Sequence, residues 1–130
     1  MSDDPHTMRT DLARVRFLGS ARSGTMHMWA MRVTSVALIP LSIAFVSIVV
    51  SLIGVDYNGA RAVLSSPFPA IVMLLFVLTG IYHMQSGMQT IIEDYVHSET
   101  VKTWSLIANL LFCVAIGVAC VYAVLKLSFV

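Results

Sequence analysis

Three apolar runs, each about as long as a bilayer is thick, constrain this chain more than anything else in its sequence. They extend from about Val33 to Val55, from about Pro69 to Ile92 and from about Trp104 to Leu127. About 20 helical residues cross the roughly 30 Å of hydrocarbon in a bilayer. Inside hydrocarbon the backbone has to satisfy its own hydrogen bonds, so apolar runs of this length fold as helices. A soluble alternative fails on surface area. With 130 residues, 58% hydrophobic and 12% charged, a globular domain of this size has too little interior to hide its apolar side chains. The sequence therefore predicts an all-α membrane protein, one domain over 1–130, with three transmembrane helices at about 31–55, 69–94 and 102–127.

The flanks set orientation. Residues 1–29 form a polar arm too long to precede the apolar region of a cleavable signal. Within it, "RVRFLGSARSG" is basic and glycine-punctuated, suited to a soluble partner or to anionic membrane lipid. Arg9, Arg14, Arg16, Arg22 and Arg32 precede or open the first run, whereas the first loop carries only Arg61 and the tail only Lys126. Basic residues favour the cytoplasmic side, so the N-terminus is expected inside, the C-terminus outside, and the "EDYVHSET" turn, with Lys102 nearby, inside. A formal net charge of +1 leaves no electrostatic footprint for nucleic acid. Cys113 and Cys120, seven apart in the third run, lack any metal or redox spacing and read as small apolar residues.

Several residues inside the runs predict packing. Pro40 is tolerated in a membrane helix where its neighbours adjust. Thr34, Ser35, Ser42, Ser47 and Ser51 are of the type found where membrane helices approach closely, and Asn109 reads as an interhelical hydrogen bond. Trp104 and Tyr122 suit the two membrane interfaces. The loop "DYNGARAVLSSPFP" is expected to be a connector with one short interfacial helix.

The second run carries the chemistry. At about 100° per residue, and with His83 as zero, Gly87 lies about 40° away, Thr90 and Asp94 about 20°, and Gly80 about 60°. His83 thus stands between two residues without side chains, which leaves room for a flat macrocycle to approach the imidazole. An ionisable group at mid-membrane calls for a partner. A haem iron is one such partner; a hydrogen bond to another helix is the other. A haem held by two histidines would need its second ligand from another subunit, because His6 and His27 precede the first run and His97 follows the second. Gln85 and Gln89 share a different stripe with Tyr82 and Glu93, expected to hydrogen-bond between helices. About 17 Å beyond His83, Asp94, Tyr95 and His97 put a carboxylate, a phenol and an imidazole where the helix meets water. They read either as solvated and anchoring groups or as a quinone site, with Tyr95 donating to a quinone carbonyl and Asp94 or His97 relaying protons.

The segment "HMQSGMQTIIEDY", with glycine four residues after the histidine and Asp-Tyr eleven and twelve after it, resembles the second membrane helix of the small hydrophobic anchor subunit of succinate dehydrogenase, respiratory complex II. The likeness extends over nearly the whole chain, including "SGTMHMWAMRVTSVALIP", and is nearest the alphaproteobacterial form. It implies that His83 is an axial ligand of haem b, shared with a second anchor subunit of the cytochrome b type. It further implies that Tyr95 and Asp94 serve a ubiquinone site, and that Arg32 and His27 contact haem propionates, with Gly80 and Gly87 giving clearance. The partners implied are an iron–sulfur subunit and a flavoprotein that holds the dicarboxylate site. The location implied is the bacterial cell inner membrane, crossed several times, with the C-terminus periplasmic. A cofactor-free structural membrane subunit and the anchor of a fumarate reductase stand as alternatives.

Overall fold

A computed structural model of the chain describes Thr10 and residues 23–129. Most of the predicted polar arm lies outside the described residues. Four helices follow in order: α1 (Ser23–Ser51), α2 (Tyr57–Leu64), α3 (Pro67–Tyr95) and α4 (Glu99–Phe129). α1, α3 and α4 are long and apolar enough to cross a membrane, and α2 is the short helix expected in the first loop.

Helix ends differ from the ends of the apolar runs for physical reasons. α1 begins at Ser23, several residues before its apolar stretch, because "SGTMHMWAM" contains no proline and continues the helix into the polar zone. It stops at Ser51, short of Val55, and Gly54 then adopts φ +76°, a left-handed turn that only glycine enters without strain. α1 passes through Pro40 without interruption. Asp56 caps α2, its carboxylate accepting from the Gly59 amide at 2.9 Å. Pro67 opens α3 at a position where its missing N–H costs nothing. Val96, extended at φ −91° and ψ 108°, ends it. Only residues 96–98 separate α3 from α4, so the two helices are antiparallel neighbours.

α3 is the centre of the molecule and packs against α1 on one side and α4 on the other. The α3/α4 seam is closed by small groups. Cys113 and Ser86 are almost fully buried, at 2% and 1% exposure. Gly117 allows Ile81 so close that a Cβ there would meet its Cδ1 at 3.2 Å. The Asn109 side-chain amide donates to the Gln85 carbonyl at 3.0 Å, the interhelical bond its position suggested. On the α1/α3 seam, Phe45 and Phe76 stack with centroids 4.5 Å apart, and Leu38 lies 3.9 Å from the position of a Cβ on Gly80. Elsewhere the long helices expose Val, Ile, Leu and Phe all round, as a chain covered by lipid and other subunits should.

Two packing expectations are corrected. Ser35, Ser47 and Ser51 do not line a helix contact. They face outward, and their hydroxyls donate to carbonyls three or four residues back at 2.6–2.8 Å, which lets a hydroxyl face lipid at little cost. Gln85 and Gln89 bond along α3 rather than between helices. The Gln85 amide donates to Gln89 at 3.2 Å, and the Gln89 amide to the Glu93 carboxylate at 2.7 Å, because side chains at i and i+4 are neighbours on a helix surface and the Asn109 amide of α4 is used by the Gln85 backbone carbonyl. Trp104 and Tyr122 are exposed on α4 about 27 Å apart along its axis, close to a hydrocarbon thickness.

Candidate functional site

His83 sits on the α3 face that packs against α1, partly buried, and its Nδ1 lies 3.0 Å from the Thr34 hydroxyl. The Thr34 oxygen is also 2.9 Å from the Ala30 carbonyl and 3.0 Å from that of Met31. Two turns further along α3, the Thr90 hydroxyl donates to the Ser86 carbonyl at 3.1 Å and contacts the Met31 sulfur at 3.7 Å. The pairs Thr34–His83 and Met31–Thr90 set an antiparallel register. His27, one turn before Met31, therefore lies across from the last two turns of α3.

His27 is the anomaly in this seam. Among the described residues its Nε2 is the buried side-chain nitrogen or oxygen without a hydrogen-bond partner. A buried polar atom left unpaired costs about 1–3 kcal/mol, so the position calls for a partner beyond the described residues. His83 Nε2 makes no hydrogen bond among the described residues either, but it is not closed off in the way His27 Nε2 is. Beside it, a Cβ on Gly87 would meet nothing within 4 Å. One imidazole nitrogen is tethered, the other is open, the adjoining turn has no side chain, and a second imidazole nearer the membrane surface lacks a partner. The open His83 Nε2 beside Gly87 fits the donor type and the clearance that a haem requires. Both readings of His83 are thus compatible with one geometry, since the hydrogen bond to α1 uses only Nδ1.

The remaining predicted residues divide. Gly80 packs on Leu38 of α1 at a distance where a Cβ would make ordinary contact, so that contact does not by itself require a glycine. Arg32 is exposed, makes no hydrogen bond or ion pair among the described residues, and stands about 160° around α1 from Thr34. The structure does not bring it together with His27. Tyr95 ends α3 and is 77% exposed; Asp94 beside it and His97 in the turn are exposed too. These three do not form a closed pocket by themselves among the described residues. Thr34 is the residue that sequence reasoning missed as part of the site. It was one hydroxyl among five in its run, and only the register of α1 against α3 sets it apart.

The chain matches the family model described as "Succinate dehydrogenase/Fumarate reductase transmembrane subunit" over residues 6–122. Its relatives include the "Succinate dehydrogenase hydrophobic membrane anchor subunit" of Paracoccus denitrificans, 38% identical over 111 residues, which are 85% of this chain and 85% of the relative. The protein of the same description from Rickettsia bellii is 30% identical over 119 residues, 92% of this chain and 95% of the relative. The "Succinate dehydrogenase membrane anchor subunit" of Reclinomonas americana is 31% identical over 88 residues, 65% of this chain and 73% of the relative.

Proposed function

The chain belongs to the succinate dehydrogenase/fumarate reductase transmembrane subunit family, and from that membership we propose that it is the membrane anchor of a succinate:ubiquinone oxidoreductase that ligates haem b through His83 and contributes Tyr95 to the quinone site. Succinate dehydrogenase is favoured over fumarate reductase because the curated relatives carry that name. In this reading the chain crosses the bacterial inner membrane three times, with its N-terminus and the α3–α4 turn on the cytoplasmic side. There it holds the iron–sulfur and flavoprotein subunits, and the flavoprotein carries out succinate oxidation.

The observation that supports the haem assignment most is the Thr34–His83 bond, which orients the ring while leaving Nε2 without a partner among the described residues. When bound, a haem would supply one-electron redox capacity here, with His83 as this chain's ligand and a second anchor subunit supplying another. His83 holds its place in the seam, and Gly87 keeps the adjoining turn clear. His27 would reach a propionate only by turning its ring, since the chain itself covers its Nε2, and Arg32 offers a guanidinium to a carboxylate lying outside the seam.

At the end of α3, the Tyr95 phenol donates a hydrogen bond to a quinone carbonyl, a role suited to its exposure toward neighbouring subunits. Asp94 and His97 stand next to it at the water boundary, where a carboxylate and an imidazole pass protons to a quinone that takes up two on reduction. Affinity purification of the tagged chain from membranes tests the assignment. The expected product carries a flavoprotein, an iron–sulfur protein, a second small membrane subunit and succinate–quinone reductase activity. Recovery of a colourless complex without flavin would overturn it.

A further inference from the structure

Thr34 has a single hydroxyl proton and three acceptors competing for it: the Ala30 carbonyl at 2.9 Å, the Met31 carbonyl at 3.0 Å and, if it is unprotonated, His83 Nδ1 at 3.0 Å. The two histidine tautomers resolve that competition differently. With the proton on Nε2, the hydroxyl turns to Nδ1, the carbonyls lose it, and the Nε2–H donor has no acceptor among the described residues. One hydrogen bond is made and one donor is stranded in an apolar environment. With the proton on Nδ1, the hydroxyl donates back into its own helix, as threonine does in helices, and its lone pair accepts from Nδ1–H. Two hydrogen bonds are made, and the nitrogen left bare is a lone pair rather than a donor.

We infer that Thr34 is a positioning residue that holds His83 in the Nδ1–H tautomer, fixes its ring plane against α1 and so makes Nε2 the ligating nitrogen. The inference rests on the haem assignment above and adds a residue of a different helix to it. An acceptor on the far nitrogen makes an imidazole a stronger donor to a metal and sets the direction in which its ring faces. The helix register makes Thr34 specific for this task. The exposed hydroxyls of Ser35, Ser47 and Ser51 in α1 bond only to their own helix.

The test compares the whole complex, purified with its partner subunits, as wild type, Thr34→Val and Thr34→Ser. Haem content, midpoint potential and the low-temperature electron paramagnetic resonance of the oxidised haem are measured for each. Thr34→Val keeps the shape but removes the acceptor. The midpoint potential should move upward, since a weaker donor stabilises ferric iron less, and the resonance should shift as the ring loses its orientation. Thr34→Ser should restore both toward wild type. If Thr34→Val assembles poorly, Thr34→Ala removes the hydroxyl without bulk and is read in the same way. Loss of haem from an assembled complex in either variant, with Thr34→Ser normal, also supports the inference. A hydroxyl-free variant with full haem and wild-type potential and resonance overturns it while the haem assignment stands. A wild-type complex without haem overturns the assignment itself and this inference with it, before any variant is read.

Discussion

The two seams along α3 use polar groups in opposite ways. Between α3 and α4 the accounts close within the chain: Asn109 donates to the Gln85 carbonyl, Ser86 and Cys113 are buried, and Gly117 lets Ile81 into contact. Between α3 and α1 the same residue types leave loose ends. His83 uses one of its two ring nitrogens, His27 Nε2 is buried without a partner, and Gly87 faces empty space. A seam that exists only to hold two helices together has no reason to strand a buried imidazole. The first seam is therefore closed among the described residues, and the second is the seam on which the proposed haem assignment rests.

The glycines offer the sharpest way to break that contrast. Gly87→Leu adds a branched side chain where a Cβ meets nothing within 4 Å. It should leave helix packing unchanged yet lower haem occupancy of the purified complex more than any other change that keeps His83. A normal haem content would show that the open turn is not clearance for a macrocycle. Gly117→Val does the reverse. Its Cβ alone comes within 3.2 Å of the Ile81 side chain, so overpacking should cost about 1–3 kcal/mol. It should appear as a lower thermal midpoint of the complex, while the haem spectrum per assembled complex stays as in wild type.

Two smaller effects sharpen the comparison. Tyr95→Phe removes one hydroxyl from an exposed ring, so stability should not change. Loss of one hydrogen bond to a quinone, about 1.4 kcal/mol, should reduce kcat/KM for quinone about tenfold. Steady-state quinone reduction, with succinate oxidation by an artificial acceptor as control, separates the two. An unchanged rate would remove Tyr95 from the quinone site. Asn109→Leu removes the one side-chain bond between α3 and α4 and should cost only about 0.6 kcal/mol, the usual worth of a polar contact between membrane helices. A loss several times larger, in chemical denaturation of the complex, would mean that the α3/α4 seam depends on its polar contact rather than on close packing.

How much of this was legible in the sequence follows from which forces are local. The three spans could be read because bilayer thickness translates directly into run length. The glycine spacing around His83 could be read because helical periodicity is fixed. Helix ends were less legible: "SGTMHMWAM" is polar enough to leave the apolar run but has nothing to stop a helix, so α1 begins earlier than its hydropathy. The Gln85–Gln89–Glu93 ladder was foreseen as polar but assigned to the wrong partners, since whether an amide bonds along its helix or across a seam depends on what α4 presents. Thr34 was not distinguishable from Ser35 until the register of two helices joined across a loop was known. That register is a tertiary fact, and no single run of sequence carries it.

The most direct measurement is a reduced-minus-oxidised absorption spectrum of the complex purified with its partner subunits, wild type beside His83→Ala. A b-type signal in the wild type, lost or shifted in the variant, is the predicted result and assigns the haem to this face of α3. A wild-type complex with no b-type signal, or a His83→Ala complex with an unaltered one, would contradict it.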